Sequence, residues 1–488
     1  MLRMCLALVL GALLPLAFAP FSIWPLAFLI PALLLSVIQS SPSARNIFFA
    51  GWIFGIGYFG FGVYWIYNSL HDFGMAPPLV AGGITGLLVV YLALSPALVL
   101  VLWHYSRRLL GETSLWLLPL FWFSFEWFKG WFITGMPWLS LGYSQTGSPL
   151  AGFAPLIGVY GISALCLFMA VALFLLLRDK RYSMLAVLLL LPLSGWLLQQ
   201  IDWTEAQPQS LKVSMVQGNI PQQIKWRRDQ QQNVFNTYWR ETSQLWDSDL
   251  IIWPETALPG QSEEIESTFL QPLQQAAIDH ETSILAGLVV SESEQNRYYN
   301  SMILLGQKRS LYHKRHLVIF GEYYPMRWLL DLFSGLIYIP YSDLTPGPVE
   351  QETMSIGASE LGVSICFEDV FSRDIMLALP AANLLVNLSN DAWFGNSTAP
   401  HQHLQIAQMR SLETERVMMR STNNGVSAFI DHKGRVIRQS EQFRTQSIAA
   451  EVQGRIGATP FFYFNKIQWL LAILPLVLVL ILARRKAG

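Results

Sequence analysis

The hydrophobic and polar positions divide the chain into a long apolar part, a part of ordinary soluble composition and a short apolar end. Apolar stretches long enough to cross a hydrocarbon layer of about 30 Å follow one another through the first part and recur once near the C-terminus. We therefore predict about eight transmembrane helices, at roughly 2–19, 22–39, 47–68, 78–104, 114–133, 151–177, 182–199 and 467–483.

Basic residues cluster at alternate ends of these stretches, which predicts the direction in which each helix crosses the membrane. The clusters are Arg3, Arg45, Arg107 and Arg108, then Arg178, Lys180 and Arg181, and finally Arg484, Arg485 and Lys486. Because basic loops stay in the cytoplasm, both termini are predicted to be cytoplasmic. Seven crossings then place residues 201–466 outside the cytoplasm. The predicted domains are 1–200 with helices one to seven, 201–466, and 467–488 with the last helix and a basic tail.

The N-terminus resembles a secretory signal peptide but is interpreted as an uncleaved first helix. Arg3 precedes an apolar core and the small-residue site Ala17-Phe18-Ala19. Pro20 would directly follow the cut, and further apolar stretches begin at once. We therefore expect this segment to remain as a membrane helix.

Overall composition supports a membrane protein and argues against a nucleic-acid-binding protein and a disulfide-rich one. The chain is 52% hydrophobic and 13% charged, whereas soluble proteins carry about 25% charged residues. The formal net charge of −1 gives no basic surface for nucleic acid. Its three cysteines, at positions 5, 166 and 366, provide no disulfide framework.

Between 201 and 466 the pattern changes to short strands that alternate with polar helices. Strands are predicted at Leu211–Gln217, Asp249–Trp253, Ser283–Val290, Ser301–Leu305, Leu361–Cys366, Asn383–Leu388 and Val426–Ile430, and helices at 227–247, 262–279 and Thr398–Arg420. Such alternation predicts a layered α/β domain. The connection between about 320 and 350 is rich in aromatics and proline, and we hypothesise that it forms a mobile arm that touches the membrane.

Three chemically capable side chains follow predicted strands in this domain. Cys366 ends one strand, Glu255 follows Trp253-Pro254 at the end of another, and Lys314 closely follows a third. Ligands of open α/β sheets collect at the carboxyl ends of strands. Each residue alone has a simpler interpretation: a core cysteine, a strand-ending turn, and one solvated base among several. Together they predict a thiol nucleophile, a general base and acid, and an ammonium that favours thiolate and stabilises an oxyanion.

Several motifs resemble those of the carbon–nitrogen hydrolase (nitrilase) superfamily, and more narrowly its membrane-bound apolipoprotein N-acyltransferase family. The superfamily motifs are Trp253-Pro254-Glu255, Lys314 before His316-Leu317-Val318, Phe320-Gly321-Glu322 and Ile365-Cys366-Phe367-Glu368. The narrower ones are Val216-Gln217-Gly218-Asn219-Ile220-Pro221-Gln222, Asn390-Asp391-Ala392-Trp393-Phe394-Gly395 and Arg420-Ser421-Thr422-Asn423-Asn424-Gly425.

This resemblance implies a fold, a reaction and a set of site residues. The soluble part is expected to be an αββα sandwich with a Glu255–Lys314–Cys366 triad. The implied reaction is a ping-pong transfer in which Cys366 takes an acyl chain from a phospholipid and passes it to the α-amine of a diacylated apolipoprotein. Supporting residues would be Glu322 and Glu368, and substrate-binding residues Trp138, Trp226, Phe367 and Trp393.

The same resemblance implies a monomer in a bacterial inner membrane, with its catalytic domain on the periplasmic side and no cofactor or metal. Two departures from the family pattern are visible. Phe367 replaces the usual tyrosine after the cysteine, and Ile319 replaces a proline before Phe320-Gly321-Glu322. The second change is expected to loosen the loop that carries Glu322.

Other functions remain to be weighed against acyl transfer. A membrane-tethered amidase or nitrilase-type hydrolase would use the same triad with water as the second nucleophile. A transporter or scaffold would show charged residues deep within its helices, and the apolar stretches contain few. A metal site at His401 and His403, or at His313 and His316, lacks further ligands at standard spacing.

Overall fold

The computed structural model describes residues 1–41, 43–323 and 343–487, which divide into two compact units. The first unit contains Met1–Tyr67, Pro77–Trp203 and Thr459–Gly488, and the second contains Asn68–Ala76 and Thr204–Ala458. Most of the predicted membrane-touching arm lies outside the described residues.

The first unit is helical. Its main helices are Leu2–Leu13, Leu26–Ile38, Ala44–Gly62, Pro78–Leu92, Leu94–Leu110, Leu118–Lys129, Ala154–Asp179, Met184–Leu198 and Pro460–Ala487. By length and composition, three helical runs could cross a membrane: Pro78–Lys129, Pro149–Asp179 and Pro460–Ile481. A fourth is added if the bent pair Ala44–Gly62 and Ile66–Phe73 is one span, and three further apolar helices are shorter. Eight crossings therefore remain a prediction.

Several helix boundaries in this unit differ from the sequence-based expectation, including those of the stretch 78–104 and of the last helix. The stretch 78–104 was predicted to be one helix, but it belongs to two, separated by Ala93. Pro96 lies in the first turn of the second helix, where its missing N–H costs no hydrogen bond and its fixed φ suits a helix start. The last helix begins at Pro460, before the predicted start at 467.

Small residues allow two helices of the first unit to pack with their backbones in contact. A Cβ atom on Gly57 would overlap the carbonyl oxygen of Leu8, and one on Gly11 would overlap that of Phe54. Helices Leu2–Leu13 and Ala44–Gly62 therefore approach more closely than larger side chains would permit, as is common between membrane helices.

The second unit contains strands that form two sheets. In chain order they are β1 (Glu205–Gln217), β2 (Leu250–Ile252), β3 (Leu258–Gln261), β4 (Ser283–Glu292), β5 (Arg297–Leu305), β6 (Ser310–His313), β7 (Met354–Ile356), β8 (Ser359–Ile365), β9 (Leu384–Ser389), β10 (Val417–Thr422), β11 (Ala428–Ile430), β12 (Val436–Gln439) and β13 (Gln446–Ile456). One sheet has the order β13-β1-β2-β4-β5-β6, with β3 beside β4, and the other has the order β12-β11-β10-β9-β8-β7.

The two sheets share one core and each is covered by helices. Apolar side chains from β1, β2, β4 and β5 of the first sheet pack with those of β8, β9 and β10 of the second. The outer face of the first sheet is covered by helices Gln231–Thr242 and Gln271–Asp279. Helix Ala399–Thr414 covers the outer face of the second. These four layers are the predicted αββα sandwich.

One predicted helix is wrong at its end. Thr398–Arg420 was expected to be helical throughout, but the helix ends at Thr414 and Val417–Thr422 is strand β10. Glu415 has a φ of +47°, a left-handed conformation that ends the helix. Beyond it, Val417 and Thr422 favour a strand. As a result, Arg420 pairs with Asn387 of β9 in the sheet.

Strand directions bring the ends of β2 and β6 to one edge of the first sheet. β2 runs parallel to β4, and β6 runs in the same direction because it is antiparallel to β5, which is antiparallel to β4. Glu255 therefore follows β2 and Lys314 follows β6 at the same edge. In the second sheet, Cys366 follows β8, which is parallel to β9.

Candidate active site

Cys366 lies in a strained turn between β8 and a short 3₁₀ helix, Cys366–Val370. Its φ is +52°, which is unusual for a residue with a side chain. Such a conformation costs of order 1–3 kcal/mol and persists only where neighbouring groups hold it. One of these groups is Asn387, whose Nδ2 donates to the Cys366 carbonyl over 3.1 Å. The side chain is partly exposed.

Lys314 and two glutamates form a buried charged group beside the cysteine. The Lys314 side chain is 1% exposed, and its Nζ lies 3.6 Å from Glu255 Oε1 and 2.8 Å from Glu322 Oε2. Burial alone would lower the pKa of Lys314, but the carboxylates of Glu322 and Glu255 outweigh it and raise the pKa. Lys314 is therefore an ammonium at neutral pH.

Electrostatics at the cysteine differ from the sequence-based expectation. Lys314 was expected to favour thiolate, and it does lower the pKa of Cys366. Burial and the negative charge of Glu255 act more strongly in the other direction, so the thiol pKa is raised overall. The resting group is a protonated thiol, and reaction requires a base that removes its proton as the sulfur attacks.

Asn300 of β5 links the two glutamates and was missed in the sequence. Its Nδ2 donates to Glu255 Oε1 and to Glu322 Oε1, each over 2.7 Å. Its backbone carbonyl accepts from the Lys314 N–H over 2.8 Å. One residue thus orients three members of the charged group. It lies within a strand rather than at a strand end, so no strand-end pattern indicated it.

Glu368 connects the cysteine turn to the lysine loop. It accepts hydrogen bonds from the backbone N–H groups of Ile365, Arg315 and His316, at 2.6, 2.6 and 3.2 Å. The Tyr312 hydroxyl also lies 2.9 Å from its Oε2. Burial raises the pKa of Glu368 although these donors act in the opposite direction. Its contacts make it a structural link between the two loops.

A second buried ionic network lies behind the cysteine turn, and sequence reasoning missed it. Arg420 donates to Asp369 over 3.2 Å and to both oxygens of Asp391 over 3.1 Å. His403 Nε2 lies 2.8 Å from Asp369 Oδ1. Arg420 also donates to Asn387, the residue that holds the Cys366 carbonyl. His403, weighed above as a metal ligand, is thus bound to carboxylates of the chain itself.

The network also shifts the pKa values of its members. The pKa of Asp391 is lowered because Arg420 and His403 outweigh the effect of burial. For His403, burial and Arg420 would lower the pKa, but Asp369 and Asp391 raise it overall.

The residues predicted to bind substrate lie in different surroundings. Trp226 follows helix Gln222–Lys225 and is 47% exposed. The exposed Trp393 lies 5.9 Å from the Phe73 ring, between ring centroids, and its carbonyl accepts from Ser69 Oγ. Phe367, next to Cys366, packs edge-on against Phe371. Their roles in binding stay predictions.

Trp138 belongs to the first unit and is 1% exposed. Its ring centroid lies 5.0 Å from that of Trp65, and its carbonyl accepts from Lys129 Nζ. A substrate contact by this indole would require that the surrounding side chains move. Of the predicted site residues, the structure brings together Glu255, Lys314, Cys366, Glu322, Glu368 and Phe367.

Comparison with known proteins gives matches over both parts of the chain. The family model for the apolipoprotein N-acyltransferase N-terminal domain matches residues 10–172, and that for carbon–nitrogen hydrolase matches residues 212–461. A protein of Coxiella burnetii named apolipoprotein N-acyltransferase is 39% identical, covering 94% of this chain and 96% of the relative. One of Methylococcus capsulatus with the same name is 40% identical, covering 94% and 92%. A carbon–nitrogen hydrolase from Helicobacter pylori G27 aligns at 12% identity with a TM-score of 0.39, covering 54% of this chain and 94% of that structure.

Proposed function

Because the chain belongs to the apolipoprotein N-acyltransferase family, we propose that Cys366 carries the acyl group between a phospholipid donor and the α-amine of a diacylated apolipoprotein. The single observation that supports this most is the Glu255–Lys314–Cys366 cluster. Lys314 Nζ lies 3.6 Å from Glu255, and both charges act on the Cys366 thiol.

In the first half-reaction Glu255 takes the proton of the Cys366 thiol while Sγ attacks the ester carbonyl of the phospholipid. The Lys314 ammonium stabilises the negative charge that develops on the carbonyl oxygen. The C–O bond then breaks, Glu255 returns the proton to the leaving oxygen, and a lysophospholipid departs. The acyl chain remains on Cys366 as a thioester.

In the second half-reaction the α-amine of the diacylglyceryl-cysteine attacks the thioester carbonyl. Glu255 accepts a proton from the amine and Lys314 again faces the developing oxyanion. The C–S bond breaks, the proton passes to sulfur, and the Cys366 thiol is restored with an amide as product. A raised thiol pKa suits this step, because Glu255 can return its proton readily to the leaving sulfur.

Supporting roles follow from the contacts. Glu322 shares the Asn300 amide with Glu255 and neutralises part of the Lys314 charge, so it holds both in orientation. Glu368 positions the cysteine turn against the lysine loop. We propose that Trp226, Phe367 and Trp393 contact the lipid substrates, and that Trp138 acts at their access route. No cofactor or metal is required by these steps.

The apolar helices support a position in the bacterial inner membrane. Both substrates are lipids, so neither must leave the bilayer to reach a site at its surface. We propose that residues 201–466 face the periplasm, that both termini are cytoplasmic and that the protein acts as a monomer. Holding the reactants in a fixed pose lowers the activation barrier by several kcal/mol through proximity alone.

A purified protein supplied with a phospholipid and a diacylated lipopeptide tests the proposal. We expect the peptide mass to increase by one acyl chain at its amine, with equimolar lysophospholipid. Release of the chain only as free fatty acid would contradict acyl transfer and would support the hydrolase alternative. Cys366→Ala should abolish both products, whereas full activity in that variant would contradict any role of the triad.

A further inference from the structure

Lys225 is a buried lysine near the candidate active site that the proposed steps do not use. It ends the short helix Gln222–Lys225 and is 1% exposed. Its Nζ donates to the backbone carbonyl of Glu255 over 3.2 Å and to Thr256 Oγ1 over 2.6 Å. Buried lysines are rare because their charge is costly to remove from water. This one bonds to the proposed base residue and to its neighbour.

The backbone at these contacts needs support. Thr256 has a φ of +47°, a left-handed conformation that is strained for a β-branched residue. Lys225 donates to the Glu255 carbonyl, which belongs to the peptide bond before Thr256, and to the Thr256 hydroxyl. The ammonium therefore fixes the direction in which the chain leaves Glu255.

The charge of Lys225 also acts on the Glu255 carboxylate. Burial lowers the pKa of Lys225 to about 8, and Glu255 is the carboxylate that opposes this shift. At neutral pH the group is thus still mostly an ammonium. The other groups that face Glu255 are Lys314, Cys366 and the Asn300 amide that it shares with Glu322.

We propose that Lys225 is a positioning residue that holds the backbone at Glu255 and Thr256 and so orients the Glu255 carboxylate as the base of the acylation step. This inference rests on the proposed function, because it assigns Lys225 to the base of that mechanism. Lys225 is followed in the chain by the exposed Trp226. A substrate bound against this tryptophan would therefore contact the segment that holds the base.

The test compares the rate of Cys366 acylation, and its dependence on phospholipid concentration, in single variants of the full chain. Phospholipid vesicles are the acyl donor, and intact mass gives the rate of acyl-enzyme formation. In Lys225→Met the Glu255 carbonyl and the Thr256 hydroxyl lose their donor, so the base is no longer held in place. We expect the maximal acylation rate at saturating phospholipid to fall about tenfold, while the phospholipid concentration that gives half of that rate stays as in the wild type.

Two further variants separate the lysine contacts from general effects of substitution. Thr256→Val removes one of the two acceptors of the lysine and leaves the other, so the maximal rate should fall less than in Lys225→Met. Lys212→Met makes the same chemical change at an exposed lysine paired with Asp247, and it should behave as the wild type. If Lys225→Met does not fold, Lys225→Arg keeps a donor for both acceptors and should retain most of the maximal rate; a tenfold loss in that variant would overturn the proposal.

Other outcomes are equally decisive. A wild-type maximal rate in Lys225→Met, or a loss that appears only at low phospholipid concentration, overturns the role of Lys225 while the proposed function stands. If neither wild-type protein nor Lys212→Met forms an acyl-enzyme, the proposed function itself fails.

Discussion

At the scale of single residues, the proposed nucleophile rests as a protonated thiol. Burial and Glu255 raise the pKa of Cys366 more than Lys314 lowers it. A stable thiolate next to lipids and oxidants would be prone to side reactions, since thiolate is the reactive form. Coupling deprotonation to attack confines this reactivity to the moment when a carbonyl is in place.

Glu368→Gln is expected to slow acyl-enzyme formation without changing how its rate depends on pH. A glutamine offers one acceptor oxygen and introduces an N–H₂ group among the donors of Ile365, Arg315, His316 and Tyr312. We expect acyl-enzyme formation to slow at least tenfold and the free energy of unfolding to fall by about 2 kcal/mol, because buried donors lose their acceptor. Intact mass and denaturant unfolding in detergent measure the two effects.

Tyr312→Phe provides the matched control for this prediction. It removes one donor and leaves the Glu368 carboxylate to accept from the backbone, so the loss of stability should be about 1 kcal/mol. If the pH dependence of acyl-enzyme formation shifts in Glu368→Gln, a purely positioning role for that residue would be contradicted.

At the scale of elements, the positions of its members after strands were the sequence signal for the proposed triad. Glu255, Lys314 and Cys366 each come after an apolar run, and such ends meet at one region of a layered sheet. Asn300 could not be found this way, since it lies within β5 and its amide reaches the glutamates only through the pairing of β4 with β5.

The error at Arg420 has a clear physical origin. The residues from 398 to 420 contain enough helix formers to extend a helical pattern, and the left-handed Glu415 carries no glycine signal at the helix end. A helical Arg420 would be one more polar side chain. As a strand residue beside Asn387, it becomes the centre of the buried ionic network.

Replacement of Arg420 by methionine is expected to destabilise the second unit. Asp369 and Asp391 would be left buried without the Arg420 guanidinium, and breaking a buried ion pair in this way costs about 3–5 kcal/mol. Denaturant unfolding measures this loss. Arg435→Met, at an exposed position, should change stability by less than about 0.5 kcal/mol, and equal stabilities for the two variants would contradict the importance of the network.

The same network predicts a pH dependence of stability through His403. Its pKa is raised in the folded state by Asp369 and Asp391. The resulting stabilisation is fully present below the unfolded pKa of about 6.5 and is lost as the pH rises through the higher folded value. His403→Gln should therefore cost more stability at about pH 5.5 than at about pH 8.5. Unfolding of both proteins at the two pH values measures this, and a cost that grows with pH would reverse the assignment.

At the scale of the whole molecule, composition and hydropathy predicted two kinds of domain, and the structure has two units of those kinds. The order of strands in the sheets was beyond the pattern: β13 pairs with β1 although they lie at opposite ends of the soluble part. The assignment of Asn68–Ala76 to the second unit was also unexpected. Contacts such as that between Ser69 and Trp393 are specified by tertiary packing, and local periodicity does not encode them.

The predicted orientation in the membrane can be tested by labelling single cysteines in a cysteine-free background. Asp247→Cys, at a side chain that is 70% exposed, should react with an impermeant maleimide in intact spheroplasts. Lys180→Cys, at an exposed position between two apolar helices, should react only after the membrane is opened. These outcomes follow from the positive-inside rule, and the reverse pattern would place the second unit in the cytoplasm.

The most direct measurement of the proposed mechanism is to trap the acyl-enzyme and follow its fate. Wild-type protein and Cys366→Ser are incubated with phospholipid, digested at acidic pH and analysed by peptide mass, and a second sample then receives the diacylated lipopeptide. We predict one acyl chain on the peptide containing Cys366, labile to hydroxylamine, lost when the lipopeptide is added and recovered on its amine. The serine variant, which lacks a thiol, should accumulate little. Product formation by a wild-type enzyme whose Cys366 is never acylated would contradict the account.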